Sequence, residues 1–256
     1  MRSARARESP AGTPKGAFTS RTASSRKLIV ALDVDHAGSA TALARRLKGA
    51  VGLCKVGNQL FTSEGPRVVT KLAGLGFGIF LDLKFHDIPN TVAHGVASAA
   101  RLPGVQLLTL HTTGGLAMMR AAREAAGSSK KRPQLLGVTI LTSMDESTLA
   151  EVGLAGPPAA RAVELAKLAK TAGLDGVVAS AHEVRAIRET CGPRFLIVVP
   201  GIRPASSTTD DQARVATPAQ AISAGADYLV VGRPITGAKN PREAALAISK
   251  EIASAC

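Results

Sequence analysis

With 256 residues, 45% of them hydrophobic, the chain can bury a substantial core, which excludes a wholly disordered protein. No run of eighteen apolar residues occurs, excluding a helical membrane span, and three cysteines (Cys54, Cys191, Cys256) without CxxC or His-paired spacing speak against a disulfide framework and structural zinc. The formal charge of +13 raises nucleic acid as a partner, but aromatic residues are only 3% and no recognition-module signature is present, so nucleic-acid binding is not expected.

Much of the charge sits at the start of the chain. Residues 1–27 hold Arg2, Arg5, Arg7, Lys15, Arg21, Arg26 and Lys27 against Glu8 alone, a net +6, which leaves +7 for the rest. A moderately basic body suits an anionic substrate as well as a polyanion. Residues 1–26 are rich in Arg, Ser, Ala, Pro and Gly and lack the apolar segment of a secretory signal. They read as a disordered basic extension, with an organelle transit peptide as the alternative. The sparse cysteines fit a reducing, cytoplasmic setting.

From Lys27 onward short β-branched runs alternate with helical patterns. Strands are expected at 28–34, 51–56, 77–85, 105–111, 135–142, 176–180, 195–202 and 227–231. Helices are expected at 39–48, 63–75, 91–101, 116–126, 159–172, 182–191, 218–224 and 241–253. Asn90 is a candidate N-cap, Asn240-Pro241 reads as an N-cap followed by proline in the first turn, and Gly173 and Gly225 stand where a helix end wants a left-handed residue. Eight β–α units over residues 27–256 fit an α/β, single-domain (β/α)8 TIM barrel. A doubly wound open sheet also alternates strand and helix, but the turn after the first strand, LDVDHAGSA, has neither GxGxxG nor GxxxxGK[ST].

The barrel explains where the polar residues fall, because barrel enzymes keep their sites at the C-terminal ends of the strands. Asp33 ends the first run, Lys55 the second, and the third ends in IFLDLKFHD. Asp82 and Lys84 are two apart and share a face, while Leu81, Leu83 and Phe85 take the other. Asp87 follows just beyond. Any one of these charges alone would read as a salt-bridged surface residue. Three successive apolar strands each ending in charge read instead as a site, where the alternating signs of Lys55, Asp82, Lys84 and Asp87 satisfy one another.

The last two strands end in PGIRP and VGRP. Gly201 and Gly232 let a phosphate approach the backbone, and Arg203 and Arg233 offer guanidinium forks, at the two loops where this fold grips phosphate. Residues 203–218 have no apolar periodicity and read as a closing loop. The fifth strand ends in ILTSM, where Thr142 and Ser143 put hydroxyls at the mouth, suited to a base edge or to simple turn chemistry.

LDLKFHDIPNTV at 81–92 closely resembles the signature of the orotidine 5'-phosphate decarboxylase family, bacterial type. ALD at 31–33, LCKVG at 53–57, LTSM at 141–144, PGIRP at 200–204 and VGRPIT at 231–236 resemble its other landmarks in order. The resemblance covers nearly all of 27–253. It implies a lyase that converts orotidine 5'-monophosphate to UMP in pyrimidine biosynthesis without cofactor or metal. Lys84 would protonate C6, Asp82 face the substrate carboxylate, Lys55 balance charge and contact the ribose, and Asp33 bind a ribose hydroxyl. Thr142 and Ser143 would contact the pyrimidine, Gln212 link base to phosphate, and Arg203, Gly232 and Arg233 hold the phosphate. Asp87 and Thr91 would enter the neighbouring site of a homodimer. DxKxxD is shared with magnesium-dependent sugar-phosphate enzymes of the same superfamily, which are the alternative.

Overall fold

The computed structural model describes residues 22–129, 131–204 and 216–255. Among these, eight parallel strands close into one barrel in sequence order: β1 Leu28–Ala31, β2 Leu53–Gly57, β3 Gly78–Phe85, β4 Val105–His111, β5 Gln134–Val138, β6 Gly176–Val178, β7 Leu196–Val199 and β8 Tyr228–Val231. β8 closes onto β1 through the register pair Ile29 and Val230. The closed order excludes the open-sheet alternative. Every expected strand is present, but β1 and β5 stop earlier than their apolar runs. Asp33 and Thr142 therefore lie on the loops above the barrel, not in its ladder.

Alternation along the strands divides the apolar residues into two layers. Ile29, Ala31, Leu53, Phe80, Leu107, Leu136, Val198 and Val230 fill the barrel interior. The opposite face, with Leu28, Val30, Cys54, Ile79, Leu81 and Leu108, packs against the surrounding helices in the larger cluster. Phe80, 1% exposed, supplies bulk that the mostly aliphatic interior otherwise lacks.

Several helices depart from expectation. The single helix expected at 63–75 is two, Asn58–Glu64 and Arg67–Gly74, because Gly65 (φ 64°) and Pro66 break the chain between them. Asn90 is not a cap: the helix Pro89–Ala100 is preceded by Ile88, and Asn90 lies inside its first turn. An unexpected helix, Glu146–Glu151, is started by Asp145, whose carboxylate accepts from Thr148 N–H. Hydrogen bonds from Thr148 and Ser147 hold the Asp145 carboxyl down at about 2. Asn240 does cap Pro241–Ser254, and Gly173 and Gly225 do adopt positive φ past their helices.

The lower rim is braced twice by one device. Asp175, just before β6, accepts Leu135 N–H of β5, and Asp227, just before β8, accepts Ile197 N–H of β7. Each carboxylate also holds an arginine: Arg132 clasps Asp175 through two 2.7 Å bonds, and Arg188 reaches Asp227 at 2.7 Å. Bidentate Arg–carboxylate pairs that also satisfy backbone donors are among the strong ones.

Ala23–Arg26, within the expected extension, forms one helical turn that packs against Pro241–Ser254. Thr22 caps it by accepting Ser25 N–H, and Ser25 is buried. Gly52 lies so close beneath that a Cβ there would collide with the Arg26 carbonyl oxygen. Deleting residues 1–25 is therefore expected to lower Tm by about 2–4 °C, the effect of losing roughly 1 kcal/mol of capping and packing in a domain of this size. A thermal melt of the truncated chain that is unchanged would show this turn to be dispensable.

Candidate active site

The upper mouth of the barrel opens into a cavity of about 290 Å³. Its floor is apolar, made by the upper interior residues Ala31, Phe80, Val138, Val178 and Val230. Asp33, Lys55, Asp82 and Lys84 form one wall, and Arg203 and Arg233 stand with Gly201 and Gly232 on the side of β7 and β8. One mouth thus offers a charged wall, an apolar floor and an arginine-bearing wall.

The charged wall is a chain of contacts. Lys55 Nζ lies 2.9 Å from Asp33 Oδ1 and 3.8 Å from Asp82 Oδ2, and Lys84 Nζ lies 2.9 Å from the same Asp82 oxygen. Asp82 is 8% exposed, a burial that a carboxylate tolerates only with partners. Two ammonium groups and two carboxylates leave the wall neutral overall, with Asp33 at one end and Lys84 at the other. The expected alternation therefore holds, but its fourth member is Asp33. Asp87 stands outside, exposed, its carboxylate accepting Ile88 N–H at 2.6 Å.

The backbone under Lys84 is irregular. β3 and β4 shift register between Leu81 and Phe85, and Lys84 has φ 50°, the one positive value at a non-glycine among the described residues. Thr109 of β4 fills the gap, taking Lys84 N–H at 2.9 Å and giving its own proton to Asp82 Oδ1 at 2.9 Å. Gly57 is equally shaped to the wall, since a Cβ there would stand 2.8 Å from Lys55 Nζ. Neither residue was among those expected. Thr109 was detectable as a lone hydroxyl at an inward position of an apolar strand, and Gly57 as the next inward position above Lys55. Beside them, His111 has its pKa lowered, chiefly by burial and then by His86 and Lys84, with Asp82 opposing.

Other expected residues divide. Thr142 lines the cavity, whereas Ser143 is exposed and does not. Thr91 is exposed on the first turn of Pro89–Ala100, away from the lining. Gln212 and most of the expected closing loop lie outside the described residues. Gly232 precedes the short helix Arg233–Thr236, the extra turn with which this fold commonly frames a phosphate. Among the described residues no three His, Cys, Asp or Glu side chains converge as metal ligands. No helix among them is long and apolar enough to cross a membrane.

The model of the orotidine 5'-phosphate decarboxylase / HUMPS family matches residues 26–248. The chain belongs to that family. Within it, the orotidine 5'-phosphate decarboxylase of Nitrosococcus oceani is 51% identical over 228 residues, covering 89% of this chain and 98% of the relative. The one from Alkalilimnicola ehrlichii is 52% identical over 228 residues, covering 89% and 97%. The crystal structure of orotidine 5'-phosphate decarboxylase from Lactobacillus acidophilus superposes with a TM-score of 0.78 at 41% identity, covering 89% of this chain and 99% of that one. The family's matched span begins at Arg26, within the turn that packs on the last helix.

Proposed function

We propose that the chain decarboxylates orotidine 5'-monophosphate to UMP, the last step of de novo pyrimidine synthesis, in the cytoplasm and without cofactor or metal. The observation that carries this reading is the pairing of the Asp33–Lys55–Asp82–Lys84 wall with an arginine wall across one cavity. That spacing of charges suits a substrate with a carboxylate at one end and a phosphate at the other. The catalytic unit is the barrel domain expected over residues 27–256.

The substrate carboxylate lies toward Asp82. Its C6–carboxylate bond breaks, carbon dioxide leaves uncharged, and the electron pair stays on C6. Lys84's ammonium, already fixed beside Asp82, stabilises that pair and then transfers its proton, forming the C6–H bond. Lys84 regains a proton from solvent. Lys55 keeps the wall neutral and contacts the ribose, Asp33 binds a ribose hydroxyl, and Thr142 meets the pyrimidine. Gln212 links base and phosphate. Arg203, Arg233 and the Gly232 backbone grip the phosphate, and binding energy from that remote group helps to close and order the site. The working form is a homodimer in which Asp87 and Thr91 serve the partner's site.

Loss of orotidylate absorbance with purified protein tests the reading, and EDTA is expected to leave the rate unchanged. No turnover, or turnover abolished by EDTA and restored by magnesium, would favour the sugar-phosphate branch of the family. The phosphate grip has its own measurement. Arg233→Ala is expected to lower kcat/KM by about ten- to a hundredfold, the equivalent of one charge-assisted hydrogen-bonded contact. Phosphite dianion should raise wild-type turnover of orotidine, the substrate truncated at the phosphate. Equal activity on orotidine and its phosphate would refute the grip.

A further inference from the structure

Thr109 stands at the one place where the irregularity of β3 and the charged wall meet. Regular pairing of β3 with β4 stops after Leu81 opposite Leu108 and resumes at Phe85 opposite Leu110, so four steps along β3 face two along β4. Two residues of β3 are thus surplus, and Lys84 N–H finds a side chain, the fully buried Thr109 hydroxyl at 2.9 Å.

The direction of both bonds follows from chemistry. A backbone N–H can only donate, so Thr109 Oγ1 accepts from Lys84 and its single proton must go elsewhere. The atom within reach is Asp82 Oδ1, at 2.9 Å, a carboxylate oxygen that can only accept. With Oδ1 held from β4, Asp82 presents Oδ2 to the cavity, where it meets Lys84 Nζ at 2.9 Å and Lys55 Nζ at 3.8 Å. One hydroxyl thus sets the plane of the carboxylate and the backbone from which Lys84 projects.

We propose that Thr109 is a positioning residue for the decarboxylation: it touches no substrate, and through Asp82 and Lys84 it fixes where the carboxylate and the proton-donating ammonium stand. The inference rests on the roles given above to those two residues. A group placed out of line by a fraction of an ångström loses catalysis more than binding, since substrate affinity comes largely from the phosphate wall across the cavity.

The experiment compares Thr109→Val, which keeps shape and loses the hydroxyl, with Thr109→Ser, which keeps the hydroxyl. For Thr109→Val, kcat is expected to fall about ten- to a hundredfold, the equivalent of one charge-assisted hydrogen bond, with KM and the Kd for UMP within about threefold of wild type. Thr109→Ser is expected to retain kcat within about threefold, since both bonds can re-form. A valine variant with undiminished kcat, or one whose loss lies in KM alone, would overturn the proposal. So would a serine variant as impaired as the valine one while melting like wild type. Thr109→Ala, smaller than the native residue, takes the place of valine should that variant not fold. A wild-type enzyme inert toward orotidylate would instead overturn the function proposed above, so the two failures are distinguishable.

Discussion

Lys84→Ala is expected to lower kcat by at least about a hundredfold, the low end of what a positioned general acid contributes, while UMP still binds. The substitution removes the ammonium that lies 2.9 Å from Asp82 and opens the wall at its substrate end. Lys55 is no replacement. It stands 3.8 Å from Asp82, and its closer contact is Asp33 at 2.9 Å. Because the apolar floor and the arginine wall are untouched, calorimetric titration with UMP should give a Kd near that of wild type. A fall in turnover of less than a hundredfold would mean that the proton reaches C6 from another group.

The second large effect follows from the homodimer proposed above. Asp87, Ile88, Pro89, Asn90 and Thr91 are all exposed in the single chain, and Ile88 is 65% exposed although apolar. Pro89 opens the helix that follows, and none of these residues lines the cavity. Homodimers of Lys84→Ala and of Asp87→Ala are each expected to be nearly inactive. Unfolded, mixed and refolded, the two variants should form heterodimers in which one site lacks both residues and the other takes Lys84 from one chain and Asp87 from the other. With random pairing about half the dimers are mixed, so roughly a quarter of all sites should recover under two-fold symmetry. If native mass spectrometry finds heterodimers and activity stays at the level of the separate variants, Asp87 serves its own chain.

The alternation of short apolar runs with helical segments was enough to foresee all eight strands, because buried parallel strands have little latitude in composition. Asp82 and Lys84 were legible for a related reason: charges at the end of an apolar run must meet partners at the barrel mouth. What stayed hidden depends on tertiary geometry. The split of the helix expected over 63–75 falls at Gly65-Pro66, a breaker inside an otherwise helical pattern. Thr109 is marked in the sequence as a lone inward hydroxyl on an apolar strand, but its purpose is not, because that depends on the register shift. Gly57 is likewise marked as the inward position above Lys55, but the closeness of the Lys55 ammonium to it is not. Arg188 was hidden too, since its bonds to Asp227 and to the Gly225 carbonyl span more than thirty residues. Ser143 shared a motif with Thr142, but only one of the two faces the cavity.

The left-handed backbone at Lys84 bears on any attempt to move this chemistry to another scaffold. Transplanting Asp and Lys at the right spacing onto a barrel with a regular third strand would transfer the functional groups and lose their aim, because a side chain leaves the main chain along a different vector when φ is positive. The smallest transferable unit therefore spans two neighbouring strands: the Asp82–Lys84 segment with its surplus residues, and the hydroxyl on β4 that accommodates them. A lysine in that conformation carries a penalty of order 1 kcal/mol that glycine would not. A recipient optimised for stability alone would drift toward glycine there, and so toward a well-folded barrel without the ammonium that faces Asp82.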